Sequence, residues 1–152
     1  MDVTKENILL DLAGFSKADI LNRISDYAFK INVVNNVTQT YLEFIHRENE
    51  VSTGFTKGIA IPHAKTDAVL KPTILYIRLR DAVDWSTLDD SLVTDIFALL
   101  VPEHHIGNLH LKMISILASE LMEEEFMETI RNLSKKEDIA NYLMNKMLVE
   151  EL

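Results

Sequence analysis

Between residues 73 and 80 the side chains alternate, with Leu75, Ile77 and Leu79 on one side and Ile74, Tyr76, Arg78 and Arg80 on the other. A period of two predicts a β-strand with two distinct faces. Residues 95–101, Asp-Ile-Phe-Ala-Leu-Leu-Val, form a largely apolar run that ends at Pro102. Such a run predicts a strand covered on both faces, central in a layered α/β sheet. Ile59 to Ile61 predicts a shorter strand. Pro62 stops it, because proline has no amide hydrogen and a fixed φ. Residues 6–12 predict a short strand or extended segment.

Elsewhere the period is helical. Ile20, Leu21, Ile24, Tyr27 and Ala28 predict a helix from Ser16 to about Lys30, with Ser16 as N-cap and Asp19 in the first turn. A second helix is predicted from Asn36 to about Glu48, with Tyr41, Phe44, Ile45 and Glu48 on one side. A third runs from Leu109 to about Met122 with Asn108 as N-cap, and Leu109, Met113, Ile116 and Leu117 inward. Glu123 to Leu133 predicts a short helix. Ser134-Lys-Lys-Glu137 reads as a capping box opening a last helix to about Leu148. Helices on both sides of a small mixed sheet is the economical α/β architecture.

Composition narrows the classes. The chain has 152 residues, which is one domain by length. There is no cysteine, so disulfides, thiolate metal sites and cysteine nucleophiles are excluded; this fits a cytoplasmic location. No apolar stretch is long enough to span a membrane, and the N-terminus does not read as a signal peptide. A net charge of −9 opposes nonspecific nucleic-acid binding. No glycine-rich Lys-Ser/Thr loop is present to bind nucleotide, and no cofactor is expected.

Chemistry concentrates around His63. Its imidazole follows a strand and a proline, beside a polar, glycine-containing loop from Ser52 to Gly58. A nucleophile at a strand end next to free amides and hydroxyls suits anion chemistry. Imidazole is substantially neutral near pH 7, so one ring nitrogen can attack phosphorus while the other donates a hydrogen bond that fixes its aim.

Arg47-Glu48, Ser52-Thr53-Gly54, Gly58-Ile-Ala-Ile-Pro-His63, the strand Ile96 to Val101 with Pro102-Glu103, and Leu109-His110-Leu111 occur in this order. Together they resemble the fructose/mannitol-type enzyme IIA domain of the bacterial phosphoenolpyruvate-dependent sugar phosphotransferase system, over residues from about 5 to 148. Where many relatives have Ile-Gly after Ser-Thr-Gly, this chain has Phe55-Thr56-Lys57, which removes a glycine and adds a cation.

The resemblance implies a five-stranded mixed sheet flanked by helices. It implies that His63 accepts a phosphoryl group from the histidine-containing phosphocarrier protein. His63 then passes it to a cysteine of an enzyme IIB domain, and the membrane enzyme IIC takes part indirectly. The sugar class stays open among fructose, mannitol and galactitol types. Related domains also act as phosphorylation-state regulators in the nitrogen-related branch. A histidine-based metal protein is a third reading.

Within this frame His110, in the first turn of its helix, is expected to stabilise the phosphoryl group beside free helix amides. Arg47 is expected to clamp it, since guanidinium matches two phosphate oxygens. Thr53, Ser52 and Gly54 are candidate phosphate donors; turn chemistry is the alternative for each. Glu48 could orient a ring nitrogen or Arg47, or be a solvated helix carboxylate. His104 and His105 read as loop residues without metal-ligand spacing, so no metal is expected. His46 reads as exposed. Lys57 and Lys65 flank a docking surface or are simply solvated. Trp85 reads as packing, and the methionines as helix core filling.

Overall fold

The computed structural model describes residues 2–104 and 108–147, and of residues 109 and 110 the backbone alone. A 3-10 turn at Lys5–Asn7 leads into β1 (Ile8–Leu12), followed by α1 (Lys17–Lys30) and α2 (Val37–Glu50). Then come β2 (Ile59–Ala60), β3 (His63–Thr66), β4 (Thr73–Val83) and β5 (Val93–Pro102). Helices α3 (Leu109–Leu121), α4 (Glu124–Asn132) and α5 (Lys136–Lys146) follow. No helix among the described residues is long and apolar enough to cross a membrane.

The five strands form one mixed sheet. β1 is parallel to β4, β4 is antiparallel to β5, and both β2 and β3 lie parallel to β5 on its other side. The alternation predicted for residues 73–80 holds. Leu75, Ile77 and Leu79 join Ile96, Ala98 and Leu100 in one core, with Ile20, Leu21, Ile24 and Phe44 from α1 and α2. Ile74 and Tyr76 join Phe97, Leu99 and Val101 in a second core. That core takes Met113, Leu117, Phe126, Ile130, Ile139 and Leu143 from α3, α4 and α5. β5 is buried on both faces, as its apolar run requires.

The first two helix starts follow their caps: the Ser16 side chain accepts from the Asp19 amide, and the Asn36 side chain from the Gln39 amide. Two later caps differ. Asn108 occupies the N-cap position of α3 but makes no side-chain cap bond. Ser134 does not cap α5; the cap position is Lys135, which puts Asp138 rather than Glu137 at the third helical residue and dissolves the capping box. The α4–α5 junction is held from the sheet, where Arg78 donates to the carbonyls of Ile130 (2.9 Å) and Leu133 (3.1 Å).

The predicted stop at Pro62 is an interruption. Pro62 cannot donate, yet its carbonyl accepts from the Leu99 amide at 2.9 Å, so the edge resumes at once as β3. His63 does sit at a strand end, as the first residue of β3.

Candidate functional site

Register fixes the site. His63 pairs with Leu99 of β5, whose side chain lies in the α3–α5 core, while Ala64 pairs with Leu100 and lies in the α1–α2 core. The imidazole is therefore half-buried on an edge strand, against one rigid central strand.

Two ring contacts assign its tautomer. His63 Nδ1 lies 3.2 Å from the Ile61 carbonyl oxygen, which can only accept. Arg47 Nε, which can only donate, lies 2.9 Å from His63 Nε2. A neutral ring satisfies both only with its hydrogen on Nδ1 and its lone pair on Nε2. Arg47 reaches the ring from the last turn of α2, and its Nη1 donates to the Val51 carbonyl at 2.8 Å, just past the end of the same helix.

The neighbouring residue on that turn points inward. Thr40, Phe44 and Glu48 repeat every four positions and form the buried stripe of α2. Glu48 is 7% exposed, so its carboxylate needs partners. It has four. Oε1 accepts from the Thr53 amide (3.0 Å), Trp85 Nε1 (3.2 Å) and Lys17 Nζ (3.3 Å), and Oε2 accepts from the Thr53 hydroxyl. Trp85, fully buried, also reaches Thr53 Oγ1 at 3.3 Å, and Lys17 Nζ stands 5.6 Å from the centre of its ring. The sequence reading brought neither Lys17 nor Trp85 to the site. The signal for a pairing network was the placing of Glu48 beside Phe44 on one helix side.

The 52–54 loop closes on this network. The Ser52 hydroxyl lies 2.6 Å from the Trp85 carbonyl oxygen and 2.9 Å from that of Ser86. The Gly54 amide donates to Ser52 Oγ at 3.2 Å. A Cβ on Gly54 would meet the Ser86 carbonyl oxygen at 2.6 Å, so only glycine lets the two segments approach. The carbonyl of Thr53 accepts from the Ile61 amide at 3.0 Å.

The Phe55-Thr56-Lys57 segment is pinned at Lys57 to the 89–91 loop and to α4. Lys57 takes a positive φ of 57°, followed by Gly58 at 75°. The Lys57 amide donates to Asp89 (3.0 Å), its carbonyl accepts from Arg131 (2.6 Å), and its ammonium lies 3.9 Å from Glu124 at the start of α4. The Lys57 amide, then the Ser91 hydroxyl and amide, hold the Asp89 carboxyl well below the usual carboxylate range.

Residue 110 is the second residue of α3; its side chain lies outside the described residues, as does all of His105. His104 is exposed, and so is His46, which pairs with Glu50 at 3.5 Å one turn on. Lys65 is exposed on β3. Among the described residues, no group of three or more His, Asp or Glu side chains is placed to hold a metal ion.

This arrangement presents an imidazole with its Nε2 lone pair directed at a guanidinium, at the start of an edge strand. Comparisons with known proteins give the family and the fold. Residues 2–146 match the family model described as phosphoenolpyruvate-dependent sugar phosphotransferase system, EIIA 2. A fructose-specific EIIA component of that system from Haloferax volcanii is 33% identical over 150 residues, covering 94% of this chain and 97% of the relative. The nitrogen regulatory protein IIA-Ntr of Neisseria meningitidis superposes with a TM-score of 0.82 at 27% identity, over 91% of this chain and 94% of that one. The mannitol enzyme IIA of Escherichia coli, solved in complex with phosphorylated enzyme IIB, has the same fold, with a TM-score of 0.72 at 17% identity over 93% and 94% of the two chains.

Proposed function

The chain belongs to the EIIA type 2 family of the phosphoenolpyruvate-dependent sugar phosphotransferase system, and on that premise we propose that residues 1–152 form one cytoplasmic phosphocarrier domain working through His63. The observation that carries this reading is the pair of contacts that leaves Nε2 as the nucleophilic nitrogen.

In the first transfer, Nε2 attacks the phosphorus of a phosphohistidine on the histidine-containing phosphocarrier protein. The new N–P bond forms at Nε2 as the donor's N–P bond breaks, and the donor ring takes back its electron pair. Charge spreads over the three phosphoryl oxygens as it passes. A bound phosphoryl group adds about −1.5 to −2 charges at neutral pH. Arg47 already stands at Nε2, so its guanidinium can turn from the nitrogen to the arriving oxygens.

The proton on Nδ1 stays against the Ile61 carbonyl. The phosphorylated ring then carries a positive charge and leaves later as neutral imidazole, not as imidazolate. In the second transfer, a cysteine thiolate of an enzyme IIB domain attacks phosphorus, an S–P bond forms, and the N–P electrons return to Nε2. The enzyme IIB found with the mannitol neighbour supports an acceptor of that kind. His110 completes the set of phosphoryl contacts. Thr53, Ser52 and Gly54 serve the site by shaping the loop, because their donor hydrogens are used within the protein. No cofactor enters either step, no nucleic acid takes part, and enzyme IIC is engaged only through IIB.

Fructose-type uptake is the favoured setting, on the similarity to the Haloferax fructose-specific component. A regulatory role is the second reading, favoured by the likeness to IIA-Ntr. Incubation with phosphoenolpyruvate, the two general proteins of the system and purified fructose-, mannitol- and galactitol-type enzyme IIB domains tests both. We expect an acid-labile, base-stable phosphate on the chain, absent from His63→Ala, and passage to the fructose-type IIB. Undiminished labelling of His63→Ala contradicts the site. Efficient labelling with no transfer to any IIB selects the regulatory reading.

A further inference from the structure

We propose that Glu48 is a positioning residue for His63, acting on Nδ1 through Thr53 and the backbone of Ile61, with Lys17 as its counter-ion. The inference rests on His63 being the phosphorylated residue.

Adjacent residues of one helical turn hold the two sides of the imidazole. Arg47 meets Nε2 directly. Glu48 meets Nδ1 by a chain of three links. Its carboxylate takes both the amide and the hydroxyl hydrogen of Thr53. The Thr53 carbonyl takes the Ile61 amide hydrogen at 3.0 Å. The Ile61 carbonyl takes the Nδ1 hydrogen at 3.2 Å. Ile61 lies between two short strands, where the ladder to β5 lapses before Pro62, so its orientation depends on the Thr53 bond. An isolated antiparallel bridge between Gly54 and Ala60 holds the same two segments together.

The physical consequence concerns the tautomer. A ring whose Nδ1–H has a fixed acceptor keeps its lone pair on Nε2, toward the donor. If the Ile61 carbonyl swings away, the Arg47 donor at Nε2 alone opposes the Nε2–H form, which gains population and cannot attack through Nε2. A carboxylate is required because both Thr53 donors and the Trp85 indole converge on it. Burial of that charge is in turn made tolerable by Lys17, at 3.3 Å.

The test is Glu48→Gln in the full chain. The first readout is ring nitrogen NMR of unphosphorylated His63, which needs no partner and so stands apart from the proposed function. Wild type is expected to show mainly the Nδ1–H tautomer, and Glu48→Gln a shift toward Nε2–H. The second is single-turnover transfer from the phosphorylated donor protein. The maximal rate is expected to fall about tenfold or more, with the half-saturating donor concentration unchanged. Ring resonances unchanged in Glu48→Gln overturn the proposal, even if transfer slows, because Glu48 would then only brace the loop. Should Glu48→Gln not fold, Thr53→Val is read in the same way: a shift toward Nε2–H supports the relay, and unchanged resonances overturn it.

Discussion

Arg47→Lys would keep the positive charge at the end of α2 and lose the Nε–H that meets His63 Nε2. Lysine is a compact point charge without a planar fork, so it cannot follow the nitrogen and then the phosphoryl oxygens with one rigid group. Loss of a directed donor at a site of developing charge costs roughly 100-fold in rate. We expect Arg47→Lys to fold like wild type and to accept phosphate more slowly by about that factor, read as single-turnover transfer; a rate within twofold of wild type would remove the clamp. At this scale the sequence was informative about identity. Histidine after Ile-Pro and arginine at a helix end are recognisable as chemistry. It was uninformative about linkage: Glu48 meets Trp85 across 37 positions, and the links to Nδ1 run through backbone atoms that every residue possesses.

Among elements, the outer helices are tied to the sheet by polar contacts as well as by packing. Asp95 of β5, 2% exposed, accepts from the Tyr76 hydroxyl of β4, from Thr94 (2.6 Å) and from Arg131 of α4 (3.1 Å). Arg78 of β4 donates to the Tyr76 oxygen (3.1 Å) and caps the end of α4. Burial, then the Asp95 charge, pushes the Tyr76 phenol well above its ordinary value of 10. The folded state thus keeps this proton where the unfolded chain releases it. Its stabilising contribution is complete below pH 10 and declines as pH rises above that. Tyr76→Phe is expected to lose about 1–3 kcal/mol at neutral pH by leaving Asp95 short of a donor, and to flatten the decline in stability above pH 10. Denaturant titrations at several pH values measure both; a wild-type alkaline slope in the variant would contradict the assignment. This network also explains where element reading failed. Strand faces follow from alternation alone, and the Ser16 and Asn36 caps from local bonds. The α5 start does not, because Arg78, some 55 positions before Leu133, fixes the carbonyls at that junction. Ser134 has the chemistry of a cap without its position.

For the molecule as a whole, two cores clamp β5 and leave His63 on the β2–β3 edge. The end of α2 arrives there from one layer, and His63 faces the other, toward the α3 layer. On the proposed reading, the nucleophile is backed by the central strand, which suits positioned transfer to a second protein. The layered α/β class was legible in the runs and periods of the sequence. The split edge was not, since a proline that cannot donate still accepts through its carbonyl. The most direct measurement is phosphorus–nitrogen correlation NMR on the chain, labelled with nitrogen-15 and phosphorylated from phosphoenolpyruvate at alkaline pH. The account predicts coupling of phosphorus to Nε2 of His63, with hydrogen retained on Nδ1. Phosphorus on Nδ1, or on any other residue, would contradict it.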